Sequence, residues 1–376
     1  MRVGVVAART RYRDQDGRLR FVQASGSNRA AAERNLKTAL SVRTARTSGV
    51  GSITGDSAFG KLVELWLEDL DLEGRIAPGT RELYERNIHH LVMPSFKHFA
   101  LREISVSRVD RFLKQQAAIS YSRAKQSKVV LSLALGLAVR YEAIPRNPVL
   151  STARLHKPTS FVRALTVDQV GEIRAAVASS RTGQGLSGPK PDGQLGQIIE
   201  VMLGTSARIG EVLALRKCDI DDAGTSVTVH ICGTIVSTKG KPTSRQSHPK
   251  TATSNRTVSV PSFVGDVLRQ RLAAFDGDDD EQLVFHSRNN TPLTTNNVRR
   301  RLRAVLTEAG IEDVTPHAFR RTVATVIHRA AGTDLAAELL GHTSADITRA
   351  HYIERQNLVN PRTAEILEQL GPRATP

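Results

Sequence analysis

The sequence predicts a multidomain chain, mainly α-helical with α+β parts, and three observations carry that prediction. Apolar residues recur at three- and four-residue spacing through residues 58–157 and again in the C-terminal half. Period-two alternation is confined to short stretches near the N-terminus and between residues 226 and 261. Low-complexity stretches separate these regions, and 376 residues suffice for two or three cores. The expected organisation is a small β-hairpin/helix domain over 1–50, a linker over 51–57, a four-helix domain over 58–157 and a mixed α+β domain over 158–376, closing with a tail helix at 360–371.

In the first domain, strands over 2–12 and 18–23 flank a turn at Asp14-Gln15-Asp16-Gly17, and Ser27 is placed to cap a helix from 29 to about 40. A hairpin with one helix buries little, so this unit is expected to become fully stable only when docked or bound. Residues 48–55, rich in Gly and Ser, read as flexible. Phe59, Leu62, Val63, Leu65 and Trp66 mark the first helix of the next domain. Spans 80–91, 107–118 and 122–141 supply the others; Pro145 and Pro148 stop the last, and 155–160 reads as a second linker. Beyond it, helices are expected at 167–178, 197–203, 261–275, 296–309, 316–330 and 335–340. Strands at 226–232 and 256–261 bracket a polar segment.

Charge narrows the partner. Fifty-three Lys and Arg oppose thirty-seven Asp and Glu, a net +16, which favours a polyanion. Residues 1–50 alone carry eleven Lys or Arg against Asp14, Asp16 and Glu33, and Lys97, Arg102, Arg108, Arg111, Lys114, Arg123, Lys125 and Lys128 are available in the helical domain. Aromatics at 4% are too few to hold single strands mainly by base stacking, so double-stranded DNA is the expected ligand. The longest apolar stretch, 129–139, is too short for a bilayer, and the basic N-terminus lacks the pattern of a secretory signal. No membrane partner is expected and the cytoplasm is the expected location. Cys218 and Cys232, the only cysteines, exclude a disulfide framework and paired Cys-x-x-Cys zinc patterns, and read as inert packing residues.

Chemistry gathers toward the C-terminus. Arg208 follows a Gly-containing turn and is expected in the first turn of a helix, where its rigid fork suits two phosphate oxygens. Glu211, three residues on, shares its face and can hold the guanidinium; alone, such a pair is an ordinary surface feature. Thr315-Pro316-His317-Ala318-Phe319-Arg320 reads as a cap, a first-turn proline and a helix that carries a proton-moving His317 beside an always-charged Arg320. Gly341 suits a left-handed helix end, which puts His342 in the turn beyond, and Ser344 can cap a short helix over 345–352. Of five tyrosines only Tyr352 falls in this region, making it the candidate nucleophile. His351 beside it reads as structural.

Thr205-Ser206-Ala207-Arg208-Ile209-Gly210-Glu211, His317-Ala318-Phe319-Arg320-Arg321-Thr322, Leu340-Gly341-His342 and Tyr352 resemble, in order, the boxes of the tyrosine recombinase (phage integrase) family. Pro249-Lys250-Thr251 before Ser254-Asn255-Arg256-Thr257-Val258 resembles the segment that carries the family's lysine, with Lys239 and Lys241 as alternatives to Lys250. The ten-residue interval from His342 to Tyr352 exceeds the family's common nine, which predicts an offset phenol-bearing helix. The resemblance implies a mixed α+β recombinase catalytic domain behind a core-site DNA-binding domain, and it likens residues 1–50 to arm-type DNA-binding domains. It implies that Tyr352 attacks a phosphodiester to give a 3′-phosphotyrosyl link, without metal or cofactor. Arg208 and Arg320 would clamp the phosphate, His317 would take the proton, His342 would add a phosphate hydrogen bond and Lys250 would protonate the leaving oxygen. It further implies a homotetramer on core- and arm-type sites, a DNA-bending accessory protein and an excision factor. The tail at 360–371 would pack on a neighbouring protomer or on its own domain. A chromosome-dimer resolvase, a type IB topoisomerase and a catalytically silent DNA-binding regulator are the rival readings.

Overall fold

Residues 6–13, 18–47, 53–158, 163–180, 192–238, 240–248, 254–275, 277, 279–342 and 344–353 are described by a computed structural model of the chain. Two compact units emerge, Met1–Pro158 and Thr159–Pro376. The tail helix expected at 360–371 and Lys239 lie outside the described residues.

The first unit opens with strands β1 (Val6–Arg13) and β2 (Leu19–Gly26), antiparallel in a register that pairs Thr10 with Val22. Helix α1 (Arg29–Thr47) follows, seven residues longer than its sequence pattern indicated. Its cap is Asn28, whose Oδ1 accepts from Ala31 N at 2.8 Å, and not Ser27. Val22 and Ala32 form the small core, while Arg9 lies 3.5 Å from the centre of the exposed Phe21 ring.

Helix α2 (Phe59–Glu73) buries Phe59, Leu62, Val63 and Trp66, and Gly74 ends it in a left-handed conformation, φ 59°. Trp66 stacks on Tyr84 of α3 (Pro78–Asn87), ring centres 6.1 Å apart. The helix expected over 80–91 does not run straight. It passes into a π-turn, Ile88–Val92, before α4 (Met93–Phe96), because Pro94 has no amide to offer the regular ladder. The widened turn lets Ile88 and Val92 both face the core, each fully buried. Helices α5 (Val106–Ile119) and α6 (Tyr121–Arg140) complete the bundle, capped by the side chains of Ser105 and Ser120. The flexible reading of 48–55 does not hold for its described residues: Ile53 is 3% exposed in the bundle's core and Gly55 O accepts from Arg102 N at 2.9 Å.

In the second unit, α7 (Val167–Ser179) has a reciprocal cap between Thr166 and Gln169. Helix α8 (Gln194–Thr205) and a four-residue α9 (Ile209–Val212) lead to the sheet strands. Strands β3 (Ile220–Asp221), β4 (Thr228–Ile231), β5 (Thr234–Val236), β6 (Ser244–Gln246) and β7 (Arg256–Ser259) form a three-stranded sheet β3-β4-β7 and a separate β5-β6 hairpin within the segment read as polar. Helices α10 (Ser262–Ala273), α11 (Thr295–Glu308), α12 (Pro316–Ala331), α13 (Thr333–Leu340) and α14 (Ala345–His351) cover the rest. Gly204 permits the closest helix approach here: a Cβ there would meet Val264 Cγ2 at 2.2 Å. Among the described residues no helix is long and apolar enough to cross a membrane.

Candidate active site

Three chain breaks build the site: the end of α8, the start of α12 and the turn between α13 and α14. Thr205 Oγ1 donates to Val201 O at 2.6 Å and accepts from Ala207 N at 3.1 Å, and Ser206 adopts a left-handed backbone, φ 56°. The chain thereby turns sharply and presents Arg208 as the residue capping α9, with φ −71° and ψ 148°, rather than inside a first turn. Glu211 grips it twice, Oε2 accepting from the backbone N at 2.9 Å and Oε1 from Nη1 at 2.7 Å. The carboxylate's side chain is 4% exposed while the Arg208 side chain is 39% exposed, so one end of the pair is anchored and the other is available.

Pro316 opens α12 as expected, although Thr315 makes no side-chain cap. Arg320, one turn in, is fully buried. Its Nη1 donates to Ser206 O and its Nη2 to Leu340 O at 2.6 Å, the carbonyl ends of α8 and α13. Those helix ends carry partial negative charge and lower the cost of burying a guanidinium. Desolvation, with repulsion from Arg208, still pushes it down to about 10, leaving it charged at neutral pH.

Gly341 ends α13 left-handed, φ 64°, and sends the His342 amide back to Ala337 O at 3.0 Å. His342 Nε2 lies 3.1 Å from Arg320 Nη2 and Nδ1 lies 2.8 Å from Thr348 Oγ1. A guanidinium only donates, so Nε2 accepts and the proton sits on Nδ1 facing Thr348. In this arrangement both ring nitrogens of His342 have protein partners, Arg320 and Thr348.

Tyr352 is the residue that ends α14, and it is 8% exposed. Its ring centre lies 5.0 Å from the His317 ring and 4.8 Å from the His342 ring, with Arg320 Cζ 5.5 Å away. The long interval from His342 is absorbed without separating these groups. Burial and then the Arg320 charge push both His317 and His342 down to about 4, so both imidazoles are neutral at pH 7. His351, the last residue of α14, is exposed.

The structure thus brings together Arg208, Glu211, His317, Arg320, His342 and Tyr352 from segments up to 144 residues apart; Lys250 lies outside the described residues. A cleft of about 340 Å³ is lined by Arg208, His317 and Arg320 and, from α11, by Arg299 and Arg303. The two α11 arginines were not singled out in the sequence, where they are part of an arginine run on an amphipathic helix. Arg256 was also missed as a site residue. It reaches Glu211 Oε2 at 3.5 Å from β7, and its signal is an arginine on the inward side of a strand, sharing the face of buried Val258 while Thr257 and Ser259 are exposed.

A second polar cluster lies apart from the phenol. Asp219, His230 and Cys232 bring potential ligand atoms within 4.8 Å of one another. Asp219 is already held by Arg216 at 2.7 Å and Arg245 at 3.5 Å; burial raises its pKa, but the Arg216 bonds prevail and keep it low. Two guanidiniums beside one carboxylate oppose a cation, and the cluster is an ion-pair hub. The cysteines correct their reading as packing residues: Cys218 is exposed and Cys232 accepts from Arg245 Nη2 at 3.1 Å.

Comparison with known proteins gives the family. The model of the Phage integrase family matches residues 164–358, more than half the chain, and that of the phage integrase N-terminal SAM-like domain matches 58–115. A tyrosine recombinase XerC-like protein of Caldanaerobacter subterraneus subsp. tengcongensis is 24% identical, over 92% of this chain and 91% of that protein. An integrase of Streptomyces ambofaciens is 26% identical, over 96% and 92%. Among solved structures, the Tn1549 transposon integrase in complex with a circular intermediate DNA superposes with a TM-score of 0.66 at 18% identity, over 84% of this chain and 99% of that one. A lambda integrase tetramer bound to a Holliday junction gives 0.59 at 19% identity, over 89% and 93%. With its phenol, histidines and arginines seated as described, the chain belongs to the phage integrase family of tyrosine recombinases.

Proposed function

We propose that the chain is a site-specific recombinase of double-stranded DNA, an integrase that inserts or excises a phage or other mobile element through a 3′-phosphotyrosyl intermediate. The observation that carries this reading is the Tyr352 ring held against His317 and His342 beside a buried guanidinium. A phenol is protonated at neutral pH, so its attack needs a base. Neutral His317 accepts that proton as the Tyr352 oxygen bonds to phosphorus and the 5′-oxygen departs. Arg208 and Arg320 stabilise the charge that accumulates on the non-bridging oxygens, a role in which one donor is worth on the order of 10²-fold or more in rate. Lys250 gives the departing 5′-oxygen its proton. His342 keeps Arg320 aimed, and donates to phosphate itself only once Nε2 is released and protonated. One phosphodiester replaces another, so neither nucleotide cofactor nor metal enters the balance.

The domains take roles in the same reading. Residues 58–157 hold the core site, residues 1–50 with their eleven basic residues hold an arm-type site, and residues 158–376 cut and rejoin. Four cleavages in one exchange require a homotetramer on DNA, assisted by a DNA-bending protein and an excision factor in the bacterial cytoplasm.

The test uses nicked suicide duplexes selected from a random pool by covalent capture on the wild-type chain, in EDTA. Wild type is expected to form a protein–DNA adduct, and Tyr352→Phe to bind the same duplex with unchanged affinity and form none. An adduct in Tyr352→Phe, or capture by wild type only with divalent metal, would overturn the proposal.

A further inference from the structure

Glu211 is a buried carboxylate between two guanidiniums, and only one of them, Arg208, belongs to the phosphate clamp. The other is Arg256, opposite Ile231 of β4 in the three-stranded sheet. Its side chain is 9% exposed, Nη2 lies 3.5 Å from Glu211 Oε2, and Nη1 donates to Ser254 O at 3.0 Å. Its Nε has no hydrogen-bond partner among the described residues. A buried, incompletely paired guanidinium is costly to retain, and desolvation outweighs the attraction of Glu211 in lowering its pKa.

We infer that Arg256 is a positioning residue for the recombinase reaction: by sharing Glu211 it keeps the Arg208 guanidinium both fixed and insufficiently neutralised, so that it binds the scissile phosphate. This rests on the reading of Tyr352 as nucleophile and Arg208 as clamp. Charge arithmetic gives the reason. Glu211 with Arg208 alone is a neutral pair with little attraction for a phosphate. With Arg256 the same carboxylate serves two cations, and the trio retains one positive charge directed at the cleft. Arg256 also protects the carboxylate: when Arg208 turns toward phosphate oxygens, Glu211 still has a cationic partner and is not left as an unpaired buried charge. Ser254 reinforces the arrangement, its Oγ lying 3.4 Å from Arg208 Nη1 while its carbonyl accepts from Arg256.

The test measures the single-turnover rate of adduct formation on the selected duplex for Arg256→Met, Arg256→Lys, Glu211→Gln and the double variant Glu211→Gln/Arg256→Met. Arg256→Met is expected to lose on the order of 10- to 100-fold in rate, the usual effect of removing a group that orients a reacting ligand, with DNA affinity held. Arg256→Lys, which keeps the charge, recovers part of the loss. In the Glu211→Gln background, removing Arg256 costs far less, because the shared charge is gone. With an uncharged methylphosphonate at the scissile position, the gap between wild type and Arg256→Met shrinks, since the clamp matters less there. A merely structural role would give equal losses on both substrates and in both backgrounds. Equal losses, or an Arg256→Met rate equal to wild type, overturn the inference, whereas a wild-type chain that forms no adduct overturns the underlying functional reading instead.

Discussion

A histidine that is to accept a proton must arrive without one, and His317 does: burial, with Arg320, Arg321 and Arg208 around it, holds it down to about 4. The rate of adduct formation at subsaturating DNA should therefore show no step near pH 6.5 and should decline only as the pH approaches 4. A pH–rate profile with an inflection between 6 and 7 that vanishes in His317→Gln would contradict this environment. Stability follows the same shift with a definite sign. The unfolded chain binds protons at His317 and His342 below about pH 6.5 while the folded chain does not until about pH 4. Their contribution is complete above 6.5 and is lost as pH falls through 4, which urea melts at pH 7 and pH 5 would register as a lower midpoint at pH 5. At this scale the local part of the site was legible. The i,i+3 spacing placed Glu211 on Arg208, and one glycine placed His342 in a turn. The Glu211–Arg256 pair was not, since it spans 45 residues and depends on strand register. The tautomer of His342 likewise depends on which neighbour donates to it.

Among elements, length and local punctuation decided what could be read. Helices of twelve or more residues with one apolar face fell within a few residues of expectation at α7, α11 and α12. Four-residue α9 and three-residue β5 and β6 are too short for a period to register and owe their form to tertiary packing. Asn28 and Pro94 did carry a signal, one as a good capping residue and the other as a missing donor, each overshadowed by a neighbouring pattern. The contact between α8 and α10 gives a prediction of its own. Gly204→Ala would drive a methyl into stiff, fully buried Val264, and one of the two helices must shift. The expected cost is about 1–3 kcal/mol in a denaturant melt. Because Ser206 and Arg208 follow directly, adduct formation should slow as well, although Gly204 contacts no DNA in this reading. A variant as stable and as fast as wild type would mean that the close approach is unimportant.

For the whole molecule, net charge favoured a polyanionic partner before any element was placed, and the ordered boxes resembled the family that the comparison shows. The tail at 360–371, read from the apolar face of Ile366, Leu367 and Leu370, and Lys250, chosen by resemblance, lie outside the described residues, whereas the β5-β6 hairpin with Lys241 lies inside them. A net charge of +16 over the whole chain predicts strong counterion release on duplex DNA. With about six phosphates neutralised, log K against log salt should have a slope of about −5 or steeper, each contact adding about −0.9. Deleting residues 1–52 should flatten that slope on duplexes carrying both site types. A slope near −1 for the full chain would mean that the basic surface does not embrace a duplex.

Trp66, stacked on Tyr84 and 2% exposed, is the chain's only tryptophan. Indole emission therefore reports on the helical bundle alone, while the Tyr352 phenol is optically silent against it. In a stopped-flow trace, duplex capture by the bundle would appear as a change in fluorescence and cleavage would not. Association and chemistry could then be timed separately on the unlabelled protein.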